Sequence, residues 1–223
     1  MSIFKLLVNH DKKNSLVNSF RRKRFELLKS RLEKHIRPDS LFKILDIGGD
    51  IGYWKNIGWQ NSQCRICLLN LYATEISGED SKYFESVLGS ALHLPYQPGD
   101  FDLVFSNSVI EHVGSFENQL QFAKEVKRLS DRYIVQTPSF WFPLEPHSLI
   151  PFFQFIPHSI RAYLIMWFDI NYFPKASTYQ EALQVSRSTL MLTKKQFKTL
   201  FPGAEIQVER LFGIPKSYTA IKL

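Results

Sequence analysis

A glycine-rich turn that follows a short apolar run constrains the fold of this chain more than any other feature. The run Lys43–Gly48 predicts a strand, and the sequence Asp46-Ile47-Gly48-Gly49-Asp50-Ile51-Gly52 leads from it into a predicted helix at 51–58. Glycine permits a sharp turn with positive φ and lets a ligand approach bare backbone. We therefore expect a strand–turn–helix unit with a ligand at the carboxyl end of the strand.

Further apolar runs alternate with helical segments along the chain. Three of them predict buried strands: Cys64–Leu71, Phe101–Asn107 and Arg132–Thr137. A helix is predicted at 116–129, and the runs at 204–209 and 217–223 predict a terminal antiparallel pair. Strands that alternate with helices indicate an α/β fold with a parallel sheet and helices on both faces.

The net positive charge of the chain comes from its first forty residues. The formal net charge is +7, and residues 1–40 carry eleven Lys and Arg against four Asp and Glu, whereas residues 41–223 are balanced. We therefore divide the chain into a basic helical arm, 1–40, and one domain, 41–223. The neutral body argues against a nucleic-acid partner. We expect the arm to pack over the domain, with a weak contact to an anionic membrane surface as the alternative.

Cysteine content and apolar run length bear on the compartment. Cys64 and Cys67 lie three positions apart on a predicted strand and point to opposite faces, so we expect neither a disulfide nor a shared metal site. Two unpaired cysteines fit a reducing cytoplasm. The longest apolar run, 162–168, is far shorter than the ~20 residues of a spanning helix. The start of the chain does not resemble a signal peptide.

The segment 138–192 differs in composition from the rest of the chain. Its first part is rich in proline and aromatic residues, which makes it too apolar for a solvated linker and too proline-rich for one regular element. We expect it to fold onto the sheet as a lid or pocket wall. Most of its aromatic side chains should build local core, and a few could line a pocket for an aromatic, prenylated or acyl-bearing acceptor.

Two later motifs accompany the glycine turn. They are Gly89-Ser90-Ala91-Leu92-His93-Leu94-Pro95-Tyr96 and the stretch Phe101–Val113, which contains Glu111-His112. In order and spacing, the three motifs together resemble the class I S-adenosylmethionine-dependent methyltransferases, in particular their small-molecule type 11 branch. The resemblance covers about residues 40–137. It implies a Rossmann-like, mostly parallel sheet of seven strands with an antiparallel last strand.

The resemblance also implies S-adenosylmethionine as the cofactor. The binding residues that it implies are Asp46, Gly48, Gly49, Gly52, Asn70, Leu71, Ser90, Ala91 and Asn107. Asn70 and Ser90 stand where the family commonly has acidic residues for the ribose hydroxyls and the adenine amine, and Asp50 replaces a frequent glycine. These three departures keep open an alternative, a catalytically degenerate cofactor-binding protein of the same fold.

Two histidines are candidates for removing a proton from the acceptor. His112 shortly follows the fourth strand of the family fold, and its ordinary pKa of about 6.5 suits a base at neutral pH. His147 lies between prolines just after the fifth strand, where the acceptor should enter. Each could instead have a structural role, His112 in shaping the pocket and His147 in capping a turn.

A histidine base slightly favours O-methylation of a small-molecule acceptor, such as a specialised metabolite or a glycan or lipid intermediate. Some quinone-pathway relatives hold a metal with an acid-x-x-Glu-His cluster. Because Ser108 occupies the first position of that pattern here, we expect no metal.

Overall fold

The computed structural model describes residues 16–37, 39–59 and 61–223. These residues form two compact units. The first comprises the described residues up to Phe105, together with Lys127–Tyr133 and the final Leu223; the second comprises Ser106–Val126 and Ile134–Lys222.

The first unit begins with the arm helix, α1 (Leu16–Glu33). The part of the predicted helical arm before residue 16 lies outside the described residues. Phe25, Leu28 and Leu32 of α1 are buried. The Phe25 ring contacts those of Trp54 and Trp59, at centroid distances of 6.1 and 5.2 Å. The helix is therefore held by an apolar face.

Three parallel strands follow in this unit: β1 (Phe42–Ile47), β2 (Cys64–Asn70) and β3 (Phe84–Leu88). The helix α2 (Ile51–Asn56) lies between β1 and β2 in the chain. Both cysteines of β2 are buried free thiols. Sequence analysis did not find β3, because Phe84 is its one buried residue and an apolar run is absent.

The second unit contains most of the remaining elements. They are α3 (Phe116–Leu129, which also extends into the first unit), β5 (Tyr133–Pro138), α4 (His158–Trp167), α5 (Tyr179–Arg187), α6 (Lys194–Leu200), β6 (Glu205–Leu211) and β7 (Ile214–Lys222). Strands β6 and β7 form the predicted antiparallel pair. Thr193 caps α6 through a reciprocal pair of hydrogen bonds with Gln196.

With β4 (Leu103–Asn107), the strands form a seven-stranded sheet in the order β3-β2-β1-β4-β5-β7-β6. The sheet is mostly parallel and ends in an antiparallel pair. This topology confirms the predicted Rossmann-like fold class.

The segment 138–192 contains two helices, α4 and α5, that share a local core. Phe153, Ala162, Ile165, Phe173 and Ala182 are among its buried members. Helix α4 starts directly after Pro157, where proline costs no helical hydrogen bond. Pro157 therefore bounds α4 instead of preventing it, and Thr178 caps α5. Among the described residues, no helix combines the length and apolar character needed to cross a bilayer.

Candidate functional site

The glycine turn exposes backbone at the carboxyl end of β1. Gly48 has φ +73° and is exposed, and its N–H donates to Leu69 O at 2.8 Å. Such a φ strongly favours glycine. Asp50 begins α2, because its Oδ2 accepts a hydrogen bond from Tyr53 N at 3.0 Å. The departure from glycine at position 50 therefore has a local structural role as a helix cap.

Asp46 lies buried at the end of β1. Its Oδ2 accepts a 2.7 Å hydrogen bond from Trp54 Nε1 on α2. A Cβ on Gly49 would come within 2.6 Å of that oxygen, so glycine is required for the turn to pass over the carboxyl group. Burial raises the pKa of Asp46 to about 8, although the Trp54 hydrogen bond opposes this effect and Asp50 adds to it. Asp46 therefore packs against the glycine turn and bonds to α2 through Trp54.

Asn70 ends the neighbouring strand β2. Its Nδ2 donates to Gly49 O at 2.9 Å and to Thr74 Oγ1 at 3.3 Å. Both hydrogen bonds use the NH₂ group, so the carbonyl oxygen keeps its capacity to accept. Leu71, which follows, is 73% exposed.

Ser90 and Ala91 follow β3, the third strand of this parallel set. Ser90 is exposed, and its Oγ accepts a 3.3 Å hydrogen bond from Leu92 N. Ala91 is half-buried. The first unit therefore brings predicted residues together at the carboxyl ends of three adjacent strands: Asp46, Gly48, Gly49, Gly52, Asn70, Leu71, Ser90 and Ala91. We call this set the cradle.

The second unit contains the remaining predicted site residues. Asn107 is the half-buried last residue of β4. His112 ends the single 3₁₀ turn Ile110–His112, and His147 lies after β5. The Nε2 atoms of the two histidines are 3.1 Å apart, with ring planes at 88°. The two candidate bases therefore form one cluster, although 35 residues separate them.

Glu145 holds His147 from the other side. Its Oε1 lies 2.6 Å from His147 Nδ1 and accepts the His147 backbone N–H at 3.1 Å, while Oε2 accepts from Ser148 N. Burial alone would raise the pKa of Glu145. The hydrogen bond and electrostatic attraction of His147, together with the hydrogen bonds from Ser148, lower this pKa overall. Glu145 is therefore an ionised partner that orients His147.

Glu111 is fully buried next to this pair. Its Oε2 accepts a 3.0 Å hydrogen bond from Thr137 Oγ1, and its Oε1 has no hydrogen-bond partner among the described residues. Burial raises the pKa of Glu111 to about 7, against the attraction of His147 and the Thr137 hydrogen bond. Loss of surrounding water and the neighbouring His147 lower the pKa of His112 to about 4. We call Glu111, His112, Glu145 and His147 the histidine–carboxylate cluster.

Sequence analysis did not give Glu145 or Trp54 a role. The two prolines that flank Glu145 were a signal that its backbone is fixed, but its partner depends on how the turn after β5 folds. Trp54 lies eight residues after Asp46, and no motif marks it.

Several aromatic side chains of the segment 138–192 remain at the surface of the second unit. Trp141 and Phe155 are exposed and contact each other, with ring centroids 5.9 Å apart. Phe140 packs on Phe155 at 5.0 Å, and Phe152 is also exposed. These four residues form an exposed aromatic surface, whereas Phe153 is buried in the local core.

Comparison with known proteins gives one matching family profile and several similar folds. The sequence profile described as a methyltransferase domain matches residues 46–132, from the end of β1 to the start of β5. No curated protein matches the sequence at a significant level.

Three solved structures share the fold. A protein from Nostoc punctiforme with a proposed O-methyltransferase activity has a TM-score of 0.51 at 15% identity, covering 98% of this chain and 60% of its own. The CurJ carbon methyltransferase has a TM-score of 0.59 at 13% identity, covering 100% and 61%. LepI in complex with S-adenosylmethionine has a TM-score of 0.50 at 12% identity, covering 88% and 46%.

This chain thus spans about three fifths, or less, of the length of these structures. At such low identity they show the fold alone, and the methyltransferase-domain profile covers residues 46–132, less than half of the chain. Taken together, fold and profile make the chain similar to the class I S-adenosylmethionine-dependent methyltransferases.

Proposed function

We propose that this chain transfers a methyl group from S-adenosylmethionine to a small-molecule acceptor, with a hydroxyl oxygen as the favoured acceptor atom. The observation that carries the proposal is the cradle, in which exposed backbone, an amide acceptor and a hydroxyl follow three adjacent parallel strands. Open α/β sheets bind their ligands at this edge.

The cradle residues fit the cofactor in kind. Gly48 offers exposed backbone for the methionine part, and the Asn70 carbonyl oxygen can accept from a ribose hydroxyl. The exposed Leu71 provides an apolar surface next to Asn70. Ser90 and Ala91 are proposed to contact the adenine. Asn107, at the end of β4, is proposed for the amino acid part or the transferred methyl.

When bound, S-adenosylmethionine supplies a methyl group on a sulfonium, which an acceptor atom displaces in line. The chain must position the acceptor, exclude water and dispose of the proton of a hydroxyl. Positioning alone can lower such a barrier by ~7–11 kcal/mol. We propose His112 and His147 as the residues that activate the acceptor hydroxyl, with Glu145 orienting His147.

An apolar part of the acceptor agrees with the exposed aromatic surface of the second unit. Ligand pockets are mainly apolar with a few polar anchors. We propose a cytoplasmic activity without a nucleic-acid partner, which the two free, buried cysteines and the charge balance of residues 41–223 support. A weak membrane contact through the arm is the other partner that its basic charge allows.

The cradle is tested by calorimetry with S-adenosylmethionine on a matched pair of variants. Gly48 and Gly58 both have φ +73°, and an alanine at either one carries a similar backbone strain. Gly48→Ala should weaken cofactor binding at least tenfold, whereas Gly58→Ala, beyond the end of α2, should leave it within twofold. No binding by the wild-type chain at millimolar cofactor, or equal affinities in both variants, would refute the assignment.

Turnover separates the enzyme from the degenerate alternative. Formation of S-adenosylhomocysteine in the presence of a small-molecule extract should be seen with the wild-type chain and lost in Gly48→Ala. Cofactor binding without turnover, across extracts that contain hydroxyl, amine and thiol acceptors, would favour a protein that binds the cofactor without transferring its methyl group.

A further inference from the structure

We propose that Glu111, His112 and His147 form a binding site for a divalent transition-metal ion of the zinc type. One ligand atom of each residue lies within 4.8 Å of those of the other two. Two imidazoles and one carboxylate are a common ligand set for Zn²⁺ and its neighbours in the first transition row. The three residues come from the 3₁₀ turn after β4 and from the turn after β5.

The histidine geometry is the first support. The two Nε2 atoms are 3.1 Å apart. Two nitrogen ligands at the usual zinc distance in a tetrahedral site would be separated by about 3.3 Å. The separation of the two Nε2 atoms is therefore already close to the one that a shared metal ion requires.

The hydrogen-bond geometry of His147 is the second support. The Glu145 carboxylate can only accept at Oε1, which lies 2.6 Å from His147 Nδ1, so Nδ1 is the donor and Nε2 is the ring nitrogen left to face a metal. A carboxylate that fixes a metal-binding histidine in this way is typical of zinc sites. Glu145 is thus proposed as the residue that orients the ligand.

The buried carboxylate is the third and independent support. Glu111 is 0% exposed, and its Oε1 lacks a hydrogen-bond partner among the described residues. An unsatisfied buried oxygen is destabilising, and more so when the group is charged. A cation bound by the Glu111 carboxylate would offset this cost and balance the charges of Glu111 and Glu145.

The sequence pattern alone did not indicate this site. The first position of the acid-x-x-Glu-His pattern is Ser108, whose Oγ donates to Gln136 Oε1 at 2.9 Å. The third ligand comes instead from His147, 35 residues after His112, and only the folded turn brings it into place.

Three protein ligands leave one position of a tetrahedral ion open. An open position is typical of catalytic zinc sites, and it would take an oxygen ligand. In the reaction that we propose, an acceptor hydroxyl bound there would have its pKa lowered by the ion and would release its proton to solvent on binding, and His112 and His147 would act on it through the ion as its ligands. The oxygen would then form its bond to the methyl carbon as the carbon–sulfur bond breaks and S-adenosylhomocysteine leaves. This catalytic role rests on the proposed function, whereas the metal site itself does not.

The test is metal binding by the full chain without a histidine tag, after removal of bound metal with a chelator. Calorimetry with Zn²⁺ and visible absorption with Co²⁺ should show one ion per chain. His147→Ala should weaken binding at least 100-fold and Glu111→Gln at least tenfold, and Glu145→Gln should weaken it about 10–100-fold. His158→Ala is the control, because His158 bonds to Ser186 within the same unit, and it should stay within twofold.

Circular dichroism and thermal unfolding of each variant show whether it is folded. Absence of stoichiometric binding in the wild-type chain, or equal loss in His158→Ala and His147→Ala, would overturn the metal site. Cofactor calorimetry on Gly48→Ala is independent of this result. A chain that binds S-adenosylmethionine but no metal would therefore refute this inference and leave the proposed function intact.

Discussion

Two buried carboxyl groups, Asp46 in the first unit and Glu111 in the second, differ in the hydrogen bonds that they accept from the protein. Asp46 is hydrogen-bonded to Trp54 and lies against Gly49. Glu111 accepts one hydrogen bond from Thr137, and its other oxygen has no hydrogen-bond partner among the described residues. Burial raises the pKa of both, to about 8 and about 7.

This difference separates a structural carboxyl group from one that can bind a ligand. The protein itself supplies the Asp46 surroundings, so we expect substitutions there to change stability and its pH dependence. At Glu111, a carboxylate oxygen lies within 4.8 Å of ring nitrogens of His112 and His147, so we expect substitutions there to change metal affinity more than stability.

The largest expected effect is that of Trp54→Ala. Trp54 is fully buried, and its ring contacts Phe25, Tyr53 and Phe105 in addition to bonding Asp46. Removing a buried aromatic side chain costs about 3–5 kcal/mol of unfolding free energy. Urea unfolding followed by circular dichroism measures this loss. Trp167→Ala, at a side chain 75% exposed, is the control and should stay within about 0.5 kcal/mol of wild type.

The second effect is the pH dependence that Asp46 introduces. Its pKa is about 8 in the folded chain and 3.8 for an ordinary Asp, so between these values only the folded state holds the proton. Stability should therefore fall as pH rises through this window. Asp46→Asn lacks this pH dependence. Its free energy of unfolding, relative to that of wild type, should therefore be about 2 kcal/mol higher at pH 7.5 than at pH 5.5. Unfolding curves at the two pH values test this, and an unchanged difference between the two proteins would contradict it.

The turn and the cluster were not equally predictable from sequence. The cradle turn is a continuous motif in which glycine spacing and strand position are visible together, so its place at the end of β1 followed from Lys43–Gly52 alone. Strand β3 and helices α4 and α5 were missed, because β3 buries only Phe84 and the prolines masked the helical stretches between them.

For the cluster, sequence could name His112 and His147 separately but could not show that they meet. Their contact depends on the turn after β5, where Glu145 accepts hydrogen bonds from the backbone N–H groups of His147 and Ser148. Neither periodicity nor local spacing encodes a contact over 35 residues. The Asp46–Trp54 hydrogen bond spans only eight residues, but the turn motif does not specify where the Trp54 side chain on α2 points.

The smallest effect is expected at the one hydrogen bond that Glu111 accepts from a side chain. Thr137 is fully buried, and its Oγ1 donates to Glu111 Oε2 at 3.0 Å. Thr137→Val keeps the shape of the side chain but removes this bond, so the unfolding free energy should fall by about 1 kcal/mol. Thr137→Ser keeps the hydroxyl but loses a methyl group, so it reports the cost of the methyl group separately. Urea unfolding of the metal-free chain measures both losses. An unfolding free energy of Thr137→Val equal to that of wild type would show that the bond contributes nothing measurable.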